Sequence, residues 1–305
     1  MHITIISLLA GLLLPSCEKV PAERPSERVD LSFDTEVRTK AGLPSDTQIR
    51  TLDILVYRDN GTLEAWTRRG EARISISVRK GGSYRWYLLA NAPKDMDLFT
   101  REKDFLRARS LLSDSTPAFP VMEGSGSGQF VSDTHIGAKL DRLLSKVTLE
   151  TVRADFLKDS YMSSTVRLER VFLLNACGSI PYSMTPSPDN RLNRTGMEEK
   201  PEGMLARERG TLLSGTDVWD GTSLLCCPDP EGATRLVVEL SIDGVPNYYP
   251  VRLPEMTCNT EYVVKDLILL GPGSSRPDED VSRTGLTFSV EIIPWEAEER
   301  EAYFD

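Results

Sequence analysis

Histidine is nearly missing from this chain. Only His2 and His135 occur in 305 residues. His2 falls in an apolar leader, so any Ser-His-Asp or Cys-His device would rest on His135 alone. That residue ends a Ser132-Asp133-Thr134-His135 stretch that reads as a solvated loop, and no Gly-x-Ser-x-Gly surrounds a serine. Cys-x-x-Cys is absent as well, and with so little histidine the usual zinc spacing cannot be assembled. Basic blocks are lacking: 46 acidic residues face 36 basic ones, the net charge is −10, and Lys and Arg are scattered. A nucleic-acid partner needs a positive footprint that releases counterions from phosphates, so nucleic acid is excluded. Gly124-Ser-Gly-Ser-Gly128 has no Gly-Lys-Ser/Thr after it and reads as a flexible loop, not a phosphate cradle. The acidic run Asp278-Glu279-Asp280 lacks the EF-hand spacing with its central glycine. The other carboxylates fall on polar strand faces or in loops. The chain is therefore expected to be no enzyme and to hold no cofactor and no metal.

Long helical periods are scarce too. From Val29 onward the pattern has period two, the mark of strands buried on one face. Val29 to Val37 alternates cleanly, Thr51 to Tyr57 follows, and Asp59-Asn60-Gly61 turns the chain into Leu63 to Trp66. Arg73 to Val78 and Tyr84 to Ala90 continue the series. Only Leu98 to Leu112 places apolar residues near a 3.6 spacing. Beyond residue 140, strands are expected at Lys146–Val152, Thr165–Leu174, Ser223–Cys227, Thr234–Ile242, Tyr248–Leu253, Glu261–Leu270 and Gly285–Ile293. Pro181 to Ser214 has no clean period and reads as an exposed excursion. Short strands without alternating helices predict antiparallel β-sandwiches, two in tandem at this length. The expected division is 28–140 for the first and 141–305 for the second.

Of five cysteines, Cys177, Cys226, Cys227 and Cys258 read as small buried hydrophobes. The adjacent Cys226–Cys227 pair is too strained to bridge to itself, and a disulfide from Cys258 to one of the two stays open. Trp66, Trp86 and Trp295 would stack on sugar rings if they were exposed.

The fifth cysteine closes the leader. Ile3 to Leu14 carries no charge and is too short for a permanent bilayer span, as the core of a secretory signal is. Leu12-Leu-Leu-Pro-Ser-Cys17 resembles a bacterial lipobox, in which the cysteine thiol is lipidated and becomes the new N-terminus. The leader lacks the usual Lys or Arg before its apolar core, which leaves an upstream start open, and an ordinary signal peptide with an incidental Cys17 is the alternative. Residues 1–17 are thus expected to be a lipoprotein signal and the polar, proline-bearing 18–27 a tether.

In this order the segments resemble the fimbrillin family (FimA-type and Mfa-like), the subunits of Bacteroidales type V pili. The resemblance rests on Cys17, on Val37-Arg38-Thr39-Lys40-Ala41 after the first strand, and on Ile49–Tyr57 with Asn60-Gly61. It continues through Leu88–Pro93, Pro120-Val-Met122 with Gly124, Leu140–Val147, Glu261–Val264 and Leu286–Trp295. It implies two transthyretin-like sandwiches in an exported outer-membrane lipoprotein of the cell-surface fimbrium. It also implies an arginine-specific surface protease that cuts after the first strand, and a strand of another fimbrial subunit that fills the exposed groove. In this chain the groove-filling face would be Val29, Leu31, Phe33 and Val37, and the cut site Arg38, with Lys40 or Arg50 as alternatives. Receptors on host or bacterial surfaces would be partners of an adhesin. The alternative function is a surface-anchored glycan-binding lipoprotein.

Overall fold

The computed structural model describes residues 27–37, 48–93, 96–187, 190–198, 203–213, 219–281 and 285–295. Its first half holds β1 (Arg28–Val37), β2 (Leu52–Arg58), β3 (Leu63–Arg69), β4 (Arg73–Arg79), β5 (Ser83–Ala90), α1 (Glu102–Arg107), β6 (Arg109–Leu111), β7 (Met122–Gln129) and β8 (Thr134–Arg142). The second holds β9 (Ser145–Ala154), β10 (Val166–Leu174), β11 (Ala176–Cys177), β12 (Ser179–Pro181), β13 (Arg191–Leu192), β14 (Ala206–Leu213) and β15 (Trp219–Cys226). It ends with β16 (Arg235–Ile242), β17 (Val245–Arg252), β18 (Thr260–Leu269) and β19 (Leu286–Pro294).

The period-two segments form strands because their apolar positions share a face. In β4 the pattern buries Ile74, Ile76 and Val78 and leaves Arg73, Ser75 and Arg79 outside. Seven strands join in the order β3-β2-β5-β7-β8-β1-β4. Strands β7 and β8 pair only at Met122↔Arg142 and Glu123↔Asp141. The sheet folds over at that short seam, so β8-β1-β4 faces β3-β2-β5-β7 across one core containing Leu31, Phe33, Ile54, Ile76, Trp86 and Leu140. The second sandwich packs β14-β10-β16-β17 on β15-β9-β18-β19, with Leu149, Leu168, Leu224, Leu240 and Val264 between the layers.

The β-sandwich expectation holds, with two differences in pairing. Strand β1 runs parallel to β8, and β18 runs parallel to β9. Parallel neighbours need a long crossover, and in both cases the connection is most of a sandwich.

Three local expectations are overturned. The Leu98–Leu112 helix shrinks to the six residues of α1, because the chain turns back at Ala108 to pair β6 with β12. Gly124–Gly128 is not a flexible loop but the middle of β7, paired along β5. A Cβ on Gly126 would lie 2.3 Å from Cζ2 of Trp86 and one on Gly124 2.4 Å from the Lys139 carbonyl oxygen, so the first glycine makes room for a ring and the second for close backbone approach. Residues 181–214 contain β13 and β14 and bury Tyr182, Met204 and Leu205. Tyr182 stacks on Phe105 with ring centroids 5.2 Å apart, so this segment packs on the first half of the chain. One continuous core cluster accordingly joins Leu55, Tyr57 and Leu89 of the first half to Val147, Leu173 and Tyr262 of the second.

Candidate functional site

The site is the bed of β1. The strand's alternation decides its orientation: Val29, Leu31, Phe33 and Val37 are buried, while Arg28, Asp30 and Glu36 are exposed. All four residues expected on the groove-filling face are buried in the core of the chain's own first half. Phe33 meets Trp86 edge-on with ring centroids 5.1 Å apart. The surrounding walls are Ile74, Ile76 and Val78 on β4, Ala138 and Leu140 on β8, and Leu52, Ile54 and Val56 on the opposite layer.

Strand β1 is the middle strand of its layer. It pairs antiparallel with β4 from Arg28↔Arg79 to Asp34↔Arg73, and parallel with β8 from Leu31↔Thr134 to Val37↔Leu140. No other ladder reaches β4 among the described residues. Withdrawal of β1 would therefore expose two rows of backbone donors and acceptors as well as the apolar bed.

Polar contacts on the outer face hold the strand in register. Ser32 Oγ lies 3.0 Å from Ser75 Oγ, Thr35 Oγ1 donates to the Ala72 carbonyl at 2.7 Å, and Asp133 accepts from the Asp30 amide at 2.8 Å. Asp34 takes Arg73 Nε at 2.7 Å and His135 Nε2 at 3.1 Å. His135, expected in a loop, thus stands on β8 as a partner of β1. At the strand's start Lys80 donates to Glu27 at 2.7 Å; this bond holds the Glu27 carboxyl below its usual range and the Lys80 ammonium above its own. These surface contacts are weak individually and set alignment, while the buried side chains supply the adhesion. The outer partners were missed in the sequence, because period two reports which face is buried and not which strand lies alongside.

Of the other expected site residues, Cys17, Arg38 and Lys40 lie outside the described residues. Arg50 is exposed, with its guanidinium 3.3 Å from the centre of the Phe119 ring and its amide donating to Asn91 Oδ1 at 2.8 Å. The sugar-stacking residues do not form a surface platform: Trp86 and Trp295 are buried, and Trp66 is half-buried, donating to Asp53 at 3.1 Å. Cys177, Cys226, Cys227 and Cys258 are free thiols, and burial pushes that of Cys177 up to about 11. The acidic run at 278–280 is tied up by Arg235, Arg252 and Arg276.

One further strand has the complementary character. Among the described residues β19 is an edge strand paired only to β18, with Leu286, Phe288, Val290 and Ile292 on one side and Thr287, Ser289 and Glu291 on the other. Leu286 and Val290 are half-buried against the core, but Phe288 and Ile292 are exposed. An apolar row left partly in water on a sheet edge is a template for pairing elsewhere.

Solved structures share this fold across most of the chain. A fimbrilin (FimA) from Porphyromonas gingivalis W83 matches 88% of this chain and 98% of its own, with 12% identity and a TM-score of 0.65. A protein assigned to cell adhesion from Bacteroides eggerthii DSM 20697 matches 89% and 97%, with 18% identity and a TM-score of 0.65. The tip fimbrial protein Mfa3 from Porphyromonas gingivalis matches 88% and 100%, with 12% identity and a TM-score of 0.52. No family model matches the chain, and no curated protein does.

Proposed function

We propose that this chain is a cell-surface fimbrial subunit or accessory adhesin, exported as an outer-membrane lipoprotein through Cys17 and assembled by protease-triggered strand exchange. The observation that carries the proposal is the place of β1, a near-terminal strand wedged between β4 and β8 whose buried side chains could be replaced by another strand with the same period. Such an insertion gains main-chain hydrogen bonds on both edges, and the buried pockets at alternate positions fix its register. The row Leu286, Phe288, Val290, Ile292 makes β19 of a second copy the natural occupant. The fold shared with a fimbrilin and a tip fimbrial protein supports the same reading. Catalysis plays no part in it.

The test is limited proteolysis of the folded chain with an arginine-specific protease, followed by N-terminal sequencing and size-exclusion chromatography. The first cut is expected at Arg38, with Lys40 or Arg50 as the alternatives, followed by loss of β1 and polymerisation. Mass spectrometry of the cell-derived protein is expected to find an acyl group on Cys17. A first cut within 181–214, with 29–50 resistant and the product monomeric, would refute strand exchange at this site.

A further inference from the structure

Four large apolar side chains crowd one end of the second sandwich. Leu157 is 67% exposed, Met162 70%, Leu212 57% and Val245 62%. Met162 and Leu212 line a half-open cavity of about 420 Å³ whose walls also include Phe156, Tyr161 and Leu213. Phe156 and Tyr161 meet edge-on there, with ring centroids 5.9 Å apart. Solitary exposed apolar residues are ordinary, but a cluster around a concavity marks an interaction surface.

The registers show which end this is. β8 ends at Arg142 and β9 begins at Ser145, so the two sandwiches join there. Thr260 pairs with both Ser145 and Pro294, which places the far end of β19 at that joint. Leu269 pairs with Ala154 and with Leu286, so β19 starts at the opposite pole. Backbone bonds from Leu157 to Leu270 at 3.0 Å and from Leu270 to Gly285 at 2.8 Å tie that start to the apolar cluster. A β19 peeled away as a donor would remain attached at this pole.

The same logic orients the acceptor. β1 lies parallel to β8 and begins at the end of the first sandwich that carries the β7–β8 turn, Phe130 to Asp133. A donor that enters there and runs in the direction of β1 brings its own apolar pole against that turn. At the tip of the turn Val131 is 61% exposed. The turns framing the cavity are net acidic, exposing Asp155, Asp159 and Asp243 against Lys158, while the end beside the β7–β8 turn exposes Arg28, Arg79 and Lys80 alongside Glu27, Asp30 and Asp133.

We propose that the pole formed by Leu157, Met162, Leu212 and Val245 is the seat for the β7–β8 turn of a second copy of this chain, with Val131 entering the cavity beside Phe156 and Tyr161. The contact is heterologous, pole to opposite pole, and so propagates into a linear fibre instead of closing. It rests on the strand-exchange reading and adds a second joining surface to it.

The experiment compares two readouts on the full chain after activation with the arginine-specific protease. One is capture of a synthetic peptide of residues 285–295, which needs only the vacated bed of β1. The other is assembly followed by light scattering, which needs the poles too. The M162D/L212D variant is expected to capture the peptide as the wild type does and to assemble at least tenfold more slowly. V131D, altered on the opposite pole, is expected to behave in the same way, and to decide the matter should M162D/L212D lose peptide capture through misfolding. Combining Val131→Asp with Met162→Lys restores a favourable pair across the contact and is expected to recover assembly. Wild-type assembly rates in both single-pole variants would overturn the docking proposal and leave strand exchange standing. An activated wild type that neither captures the peptide nor assembles would overturn both.

Discussion

Phe33→Ala tests whether β1 is held by its buried face. The ring is 1% exposed and contributes an edge-on contact with Trp86 at 5.1 Å. Moving a phenylalanine side chain from a core into water costs about 1.5–3 kcal/mol, and an aromatic pair adds about 0.5–1.5 kcal/mol. Part of the vacated space would remain as a cavity, since Ile74 and Ile76 are fixed on the flanking strand β4 and Leu31 on β1 itself. Phe→Ala in such a setting costs about 3–5 kcal/mol, a large share of the 5–15 kcal/mol that holds a typical native domain together. Ser32→Ala, one residue along, removes only the exposed contact with Ser75 and is expected to cost under about 1 kcal/mol. Urea denaturation read by tryptophan fluorescence measures both variants. Hydrogen exchange then reports whether the amides of β1, β4 and β8 open together in Phe33→Ala, as they must if β1 bridges the other two. A loss below about 1 kcal/mol with those amides still protected would show that the buried face of β1 does not hold this layer.

Two other perturbations probe the seam beneath the same bed. Gly126→Ala would place a Cβ 2.3 Å from the Trp86 ring and is expected to destabilise by about 1–3 kcal/mol, whereas Gly137→Ala, with nothing within 4 Å, is expected to be near neutral in the same urea titration. Glu123, beside Asp141 at the β7–β8 seam, has its carboxyl pushed by burial from about 4.5 up to about 7. The folded state therefore holds a proton that the unfolded chain releases. The stabilisation is complete below about pH 4.5 and is lost as the pH rises through 7, a loss of about 3 kcal/mol. Glu123→Gln cannot titrate, so the variant is expected to gain on the wild type by that amount between pH 4.5 and 8, and a constant difference across this range would refute the assignment.

Much of the fold was legible because period two is a local signal. Arg73–Val78 and Tyr84–Ala90 became strands within a residue of expectation, and Asp243-Gly244 is the two-residue turn between Ile242 and Val245. The glycines of β7 misled for a physical reason: Gly126 lies under the Trp86 ring of β5 and Gly124 against the Lys139 carbonyl of β8, and neither partner is announced by the local pattern. Residues 181–214 misled similarly, since Tyr182 is buried by stacking on Phe105, a partner 77 positions earlier.

The candidate site shows the same division between local and distant information. That Val29, Leu31, Phe33 and Val37 point inward follows from their spacing alone. That β1 lies between β4 and β8, parallel to one and antiparallel to the other, depends on segments some forty and one hundred residues away, and no period announces it. The consequence for function is direct. A strand on the sheet edge could leave with one ladder broken, but β1 leaves only if two ladders break and four apolar side chains are withdrawn. Spontaneous loss is therefore costly, and a cut in the chain beyond Val37 would not by itself release the strand. A second strand must compete for the bed, pairing stepwise as β1 withdraws, so that neither the apolar bed nor the two backbone rows face water all at once. Proposed assembly of this kind is expected to accelerate with donor concentration, and a rate independent of added 285–295 peptide would point instead to spontaneous ejection of β1 as the limiting step.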